Sequence, residues 1–373
     1  MTSQTFMASL DGHQHTVHVE RYGHRSIVQW IASQIQADHC LLITDDRVAD
    51  LHGRDLKHAL DDLGYRADLL SIGRGEGSKT LQTIEQLYAQ SLAAGTHRKT
   101  LVIALGGGVV GDTAGFFAST LMRGLPLVHV PTTVMAQVDS SLGGKVGVNF
   151  GAGKNLVGAF YAPQSIFVNL EYLATLPETE RRNGLAEVVK HGAIAEPALL
   201  GDISVYGQDL VTGDLDRLYD VVCRALAIKL EIVQADYLDH GRRAVLNFGH
   251  TLGHALEMAS QAPGRTALRH GEAVALGMVF ATELSEVRMG LSSGARMLIR
   301  SSLSELALPT DWASQTTDSV LNRLKYDKKA EDSAVNFIMI EDLGRPVRIT
   351  MPLDELKASA RDMAKQTVRV NQP

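Results

Sequence analysis

The 373-residue chain has only two cysteines, Cys40 and Cys223, both in apolar contexts. Two such thiols make neither a disulfide framework nor a cysteine zinc site, and their scarcity suits a reducing compartment such as the cytoplasm. Positive charge is also short, with 36 Lys+Arg against 42 Asp+Glu and a net charge of -6. That balance leaves no basic stripe for nucleic acid, so an anionic ligand needs a local cationic pocket. No apolar run approaches the ~18 residues of a membrane span. The opening stretch MTSQTFMASLDGHQH lacks the basic and apolar regions of a signal peptide, and its His13 and His15 are expected to face solvent. Internal repeats and low-complexity linkers are absent too. What remains is ordinary globular composition, 45% hydrophobic and 21% charged, in a chain long enough for two domains.

The first half alternates strand and helix. HCLLI (39–43), ADLLSI (67–72), TLVIAL (100–105) and LPLVHV (125–130) read as buried strands. Between them, residues 56–63 have helical spacing, and residues 79–94 set Leu81, Ile84, Leu87, Tyr88 and Leu92 on one helical face. Strands alternating with helices imply a parallel sheet flanked by helices. After Thr175 the texture changes. Pro177 opens a helix, and helical patterns run through 186–194, 215–235, 251–259, 273–289 and 293–304. A late hairpin is expected around Gly344, from 336–339 and 347–349. These patterns predict an α/β domain over residues 1–176 and a mainly α-helical domain over 177–373.

Three stretches carry chemistry. The first is GGGVVGD, Gly106 to Asp112, between a strand and a helix. It matches a glycine-rich turn whose backbone can approach a pyrophosphate at a helix N-terminus, although such turns also serve plain packing. The acid expected about 20 residues later for a ribose is missing; Asp45 and Asp46, ending the first strand, are better placed for it or equally for a turn or cap. The second stretch gathers Asp139, Ser140, Ser141, Lys145, Asn149, Lys154 and Asn155 among glycines. It reads as a long functional loop whose lysines can act as point charges for phosphate, with Arg123 as a further cation. The third, LNFGHTLGHALEMASQAPGRTALRHGE (246–272), holds His250, His254 and His270. His250 and His254 are four apart and share a helix face, a spacing common in zinc sites and also in structural pairs. Glu187 and Lys190 share a face of an earlier helix, as an ordinary ion pair or as part of a site. Lys229, Arg243 and Asn247 add polar groups beside the histidines, pointing to an acidic, polyhydroxylated substrate. Lys328 and Lys329 form a lysine pair that could equally be solvated.

Taken in order, GEGSK, GGGVVGDTAGFFAS, MRG, PTTVMAQVDSSLGGKVGVNFGAGKN, LPETERRNGLAEVVKHG, LNFGHTLGHALE, HGEAVALGM and YDKK resemble the 3-dehydroquinate synthase family of sugar phosphate cyclases, over roughly residues 40–345. The resemblance implies a Rossmann-like NAD-binding α/β domain followed by a helical metal- and substrate-binding domain, distantly similar in fold to glycerol and iron-dependent alcohol dehydrogenases. It implies NAD and Zn2+ (or Co2+) as cofactors, with Glu187, His250 and His270 as the metal ligands. NAD contacts carry over to Asp139, Lys145, Lys154, Thr132, Thr133 and Thr175, to Glu76 and Lys79, and to the loop Gly107, Gly108, Val109, Val110, Gly111 and Asp112, with Asp45 added for the ribose. Phosphate contacts carry over to Arg123, Lys145, Asn155, His254 and Lys328; Lys190, Lys229, Arg243 and Asn247 would surround the carboxylate and ring hydroxyls. The family's members are often homodimers.

The implied activity converts 3-deoxy-D-arabino-heptulosonate 7-phosphate to 3-dehydroquinate and phosphate, by transient NAD oxidation, phosphate elimination, re-reduction and intramolecular aldol closure. It is a lyase reaction of the shikimate pathway to aromatic amino acids. Cyclases acting on sedoheptulose 7-phosphate depart at the positions of Asn247 and His254, so this chain's retention of Arg243, Asn247 and His254 favours dehydroquinate synthase. An aminodehydroquinate synthase would share the same pocket. An NAD- and metal-dependent alcohol or glycerol dehydrogenase would not need Lys145, Arg243 and Lys328.

Overall fold

A computed structural model of the chain describes residues 3–370, apart from 11, 22–24, 152, 263, 327–329 and 332–333. The described chain divides into two compact units, one of Met1–Pro177 with Leu218–Leu238, the other of Glu178–Arg217 with Asp239–Pro373. The first joint falls where the texture of the sequence changes. The second unit is interrupted, however: Leu218–Leu238, most of the Leu215–Ala235 helix, groups with the α/β unit instead of with the residues on either side of it.

In the first unit the strands are β1 (Ser3–Leu10), β2 (His13–Glu20), β3 (His39–Asp45), β4 (Arg66–Ile72), β5 (Leu101–Gly106), β6 (Leu127–Pro131), β7 (Lys145–Phe150), β8 (Gly153–Phe160) and β9 (Ser165–Asn169). Seven of them form one sheet in the order β1-β2-β9-β6-β5-β3-β4. All neighbours are parallel except the β1–β2 hairpin. The central strands are apolar throughout because helices cover both faces of a parallel sheet. Leu41, Ile43, Val102 and Ala104 point into one core with Phe117, and Cys40, Leu42, Leu101 and Ile103 into the other with Ile31 and Leu56. From β3 the chain moves outward to β4 and then back across β3 to β5. The sheet therefore has a topological switch between the carboxyl ends of β3 and β5, where open α/β sheets bind ligands.

Three expectations for this unit are corrected. The opening residues pair as β1 and β2, and His15 is buried rather than solvent-facing, whereas His13 is exposed. Its strand alternation is masked by polar residues, since only every second residue of β2 turns inward. The polar stretch after Asp139 is not a long loop. It contains a short helical turn, Ala136–Ser140, and the antiparallel hairpin β7–β8. Gly147 and Gly158 let the two backbones meet, and Gly115 lets the Gly108–Thr120 helix lie on Val146. Finally, the Leu81–Ala93 helix, capped by Thr80, buries Ile84 and Leu87 but leaves Leu81 and Leu92 exposed.

The second unit is helical: Glu178–Ile194, Pro197–Thr212, His250–Ser260, His270–Met289, Ser293–Glu305 and Leu353–Val370 are its principal helices. The expected hairpin is present as β11 (Ala334–Asp342) and β12 (Arg345–Pro352), with β10 (Ala330–Glu331) beside it and Gly344 at φ +76° in the turn. Small residues bring three helices close. A Cβ on Gly277 would overlap the Gly249 carbonyl, and one on Gly271 would overlap the Asn183 carbonyl. No described helix is long and apolar enough to cross a membrane.

Candidate active site

The close helix packing of the second unit converges on a histidine–carboxylate cluster. Gly249, at φ +80°, turns the Arg242–Asn247 segment into the helix that His250 begins. His270 begins its own helix, where Glu272 accepts the Arg269 backbone N–H (2.8 Å) and Asn183 accepts that of Gly271 (2.6 Å). Ser260 accepts the Leu268 N–H (2.9 Å), tying the end of the first helix to the approach of the second. Glu187 projects from the middle of the Glu178–Ile194 helix and is fully buried.

The Nε2 atoms of His250 and His270 lie 3.6 and 3.4 Å from the same Oε1 of Glu187. Donors around a tetrahedral cation with bonds of ~2.1 Å stand about 3.4 Å apart, so this spacing fits an ion held by all three. Oε1 is buried with no hydrogen-bond partner, which a cation would satisfy. Glu187 Oε2 faces the Lys190 ammonium, itself buried. This is a buried pair inside a polar cluster, not an exposed i,i+3 contact. Burial alone would push the Glu187 carboxyl up, but Lys190, His250 and His270 together hold it well below its usual range. Burial likewise pushes His250 down. His270 goes the other way: burial opposes its charge, yet Glu187 and Glu257 raise it to about 10. The pocket favours positive charge at this point, which a divalent cation supplies as well as a proton does.

His254 lies on the same face, its ring 5.2 Å from His250 and 5.9 Å from His270. Its ligand atoms are not among the three that converge, so the helical His250/His254 pair does not by itself form the cluster. Arg243 is buried on the preceding turn, and Asn247 donates from Nδ2 to the Ala244 carbonyl (2.8 Å). Sequence reasoning missed Glu257, whose carboxylate stands 3.5 Å from His270 Nδ1. The signal was available: Glu257 is seven residues beyond His250 and so shares its face.

In the first unit the glycine loop leaves β5 at the switch point. Gly107 caps the Gly108–Thr120 helix without any side-chain hydrogen bond. A Cβ at Gly107 would press on Thr133 (3.1 Å) and one at Gly108 on Ser140 (3.0 Å), so the backbone lies bare against these residues. Thr132 N–H donates to the Gly106 carbonyl (3.0 Å). Val109, Val110 and Gly111 form the first turn of this helix. Asp112 follows there and pairs with the buried Lys79. Asn149 links Glu76 to the hairpin, donating to its Oε1 (2.8 Å), while Asn149 Oδ1 accepts from Asn155 N–H (2.9 Å). Asp45 spends Oδ1 on the backbone N–H groups of Arg47 and Val48, the cap its position allowed. Thr175 Oγ1 lies 2.8 Å from His52 Nε2.

Asp139 is 2.7 Å from Lys229 Nζ, a contact between this unit's glycine-rich half and the Leu215–Ala235 helix that groups with it. Lys145 opens β7, exposed, with its ammonium 5.9 Å from the Phe160 ring; Lys154 lies on β8. Asn155 (φ +51°), Met122 (+52°) and Arg123 (+69°) adopt left-handed backbone that side chains disfavour. Such conformations persist where surrounding structure over-determines them; next to Arg123, Gly124 packs on Tyr161, whose hydroxyl donates to the Leu125 carbonyl (2.6 Å). Lys328 lies outside the described residues.

A switch-point glycine turn in an α/β unit, with a carboxylate–bis-histidine cluster in a helical unit, defines the class of NAD- and metal-dependent enzymes built on the dehydroquinate synthase-like fold. Comparison with solved structures agrees. The chain is similar to 2-deoxy-scyllo-inosose synthase complexed with carbaglucose-6-phosphate, NAD+ and Co2+ (TM-score 0.81, 25% identity, 96% of this chain and 99% of that one). It is similar also to a 2-epi-5-epi-valiolone synthase from Streptomyces hygroscopicus with NAD+ and Zn2+ bound (TM-score 0.83, 27% identity, 94% and 97%). A probable glycerol dehydrogenase from Sinorhizobium meliloti shares the fold at 14% identity and a TM-score of 0.65 (93% of this chain and 96% of that one).

Within that class, the 3-dehydroquinate synthase N-terminal family matches residues 69–183 and the 3-dehydroquinate synthase C-terminal family residues 184–330. The 3-dehydroquinate synthases of Symbiobacterium thermophilum (43% identity; 80% of this chain, 83% of that one) and Rhodospirillum rubrum (42%; 84% and 83%) are similar over most of their lengths. The chain belongs to the 3-dehydroquinate synthase family.

Proposed function

We propose that the chain converts 3-deoxy-D-arabino-heptulosonate 7-phosphate to 3-dehydroquinate and inorganic phosphate, using NAD without consuming it and a divalent cation held by Glu187, His250 and His270. The observation that carries this reading is the spacing of these three side chains around one point, with a buried carboxylate oxygen that nothing else satisfies. When bound, the cation lowers the pKa of a substrate hydroxyl and NAD withdraws and later returns a hydride. The bare backbone of the Gly107–Asp112 turn suits the NAD pyrophosphate; Glu76, Lys79, Thr132, Thr133, Asp139, Lys154 and Thr175 would supply the remaining NAD contacts.

The chain's own side chains then bind, orient and stabilise charge. Lys190 fixes one oxygen of Glu187 and leaves the other to face the histidines. Arg243 and Asn247 suit the substrate's carboxylate and hydroxyls, together with Lys229. Arg123, Lys145, Asn155, His254 and Lys328 would hold the phosphate and stabilise the charge that develops as it leaves. The proton beside the carbonyl can pass to the departing phosphate itself, so no side-chain base is required. The test is incubation with the heptulosonate phosphate, following phosphate release, product mass and absorbance at the NADH band. Stoichiometric phosphate and 3-dehydroquinate with no net NADH supports the reading; net NADH without phosphate release indicates an alcohol dehydrogenase instead.

A further inference from the structure

The two histidines of the cluster differ in what stands behind them. His250 Nδ1 is 3.1 Å from the Phe248 carbonyl, a neutral acceptor two residues away on its own turn. His270 Nδ1 is 3.5 Å from Oε2 of Glu257, a carboxylate. Glu257 comes from the other helix, and only 7% of it is exposed. A buried carboxylate is costly unless it meets a positive or hydrogen-bonding partner. It lies on the face that carries His250 and His254, about two turns past the first and one past the second. The elements that set this approach are all local: the Ser260–Leu268 bond, the Asn183–Gly271 bond, and the close contact of Gly253 with the Ala273 carbonyl, 3.0 Å from where a Cβ would sit.

We infer that Glu257 is the positioning residue for His270, accepting a hydrogen bond from its Nδ1 so that Nε2 is the atom turned, unprotonated, toward Glu187 and a bound cation. A ring nitrogen cannot serve both partners; the hydrogen bond at one fixes the tautomer at the other. A carboxylate behind the ring also makes it a more basic ligand than a carbonyl does, and removing such a partner typically lowers metal affinity about 10–100-fold. Glu257 thus acts through His270 and touches neither the substrate nor the cation. The inference rests on the metal reading of Glu187, His250 and His270 proposed above.

Two measurements test it, neither depending on turnover. In the first, Co2+ and Zn2+ affinities are measured by chelator competition for the native chain, Glu257→Gln and Glu257→Ala, with the cobalt absorption spectrum recorded for each. The expected order is native tightest, Gln intermediate because its amide oxygen still accepts from Nδ1, and Ala weakest by about 10–100-fold, with a changed cobalt spectrum. Equal affinities and identical spectra in all three overturn the role of Glu257. A native chain that binds neither ion overturns the metal reading itself, which separates the two failures. In the second, 15N-histidine NMR on the Zn2+-loaded native protein needs no variant and so stands even if one fails to fold. It should show His270 protonated at Nδ1 with the cation at Nε2; the opposite arrangement contradicts the inference.

Discussion

Glu187 shows how much a single side chain here depends on its neighbours. It is fully buried and shares the pocket with the buried Lys190 ammonium. Replacing it with Gln removes the carboxylate charge that pairs with Lys190 and faces both histidines. Breaking a buried pair from one side costs about 3–5 kcal/mol, so Glu187→Gln should lower urea stability by that order and abolish tight metal binding. A loss below about 1 kcal/mol would contradict a stabilising role for the buried pair. Lys145 differs from it in burial. It is exposed, so Lys145→Ala should leave stability within about 0.5 kcal/mol. The same change should lower turnover by two or more orders of magnitude, on the order of an oxyanion-stabilising donor. Near-normal turnover would remove it from the phosphate cage.

His129 carries a pH dependence independent of the cluster. It lies buried on β6, and burial, helped by the charge of nearby His15, pushes its pKa down to about 4. The folded state therefore holds it neutral, while the unfolded chain takes up a proton near the ordinary histidine value of about 6.5. Its contribution is fully present above that value and is lost as pH falls toward 4, by an amount on the order of 3 kcal/mol. Urea titrations at pH 7 and 4.5 should show a smaller pH loss for His129→Phe than for the native chain; equal losses would contradict the assignment. Of this pair, His129 sits in a run already legible as a buried strand, whereas His15, in a polar N-terminal stretch, read as solvent-facing, and nothing in the residues announces that β2 joins the sheet beside β9.

At the scale of elements, the buried strands and the long helices were legible because each carries its own period: unbroken apolar runs where both faces are covered, and a 3.6-residue stripe elsewhere. The β7–β8 hairpin was not. Its glycines and polar residues carry no alternation, since Gly147 and Gly158 are there to let backbones touch and Lys145 and Asn155 to face outward. The glycines at helix crossings make a sharper test. Gly277→Ala places a methyl on the Gly249 carbonyl, directly before His250. It should cost about 1–3 kcal/mol and weaken metal binding together. Gly201→Ala, in the Pro197–Thr212 helix with nothing within 4 Å, should instead stabilise by roughly 0.5–1 kcal/mol through helix propensity. Thermal melts and metal titrations of the two variants read both effects.

For the molecule as a whole, a change of texture near residue 176 was visible in the sequence, but the allegiance of the Leu215–Ala235 helix was not. Its apolar stripe says that it packs, not against which unit; the Lys229–Asp139 pair is a contact between residues 90 apart. The metal set shows the same boundary of legibility. Periodicity alone singles out His250 and His254, whereas the three donors that converge come from three helices, an arrangement reached only through the resemblance to a family and then through the fold.

The proposal that joins these parts is a cation-dependent redox cycle that ends without net oxidation. Its most direct test is one reaction of the NAD-loaded enzyme with 3-deoxy-D-arabino-heptulosonate 7-phosphate, before and after chelation and after Zn2+ or Co2+ is restored. The account predicts one phosphate and one 3-dehydroquinate per substrate with no accumulation of NADH, loss on chelation and recovery with either ion. Full activity in the metal-stripped enzyme, or NADH accumulating without phosphate, would contradict it.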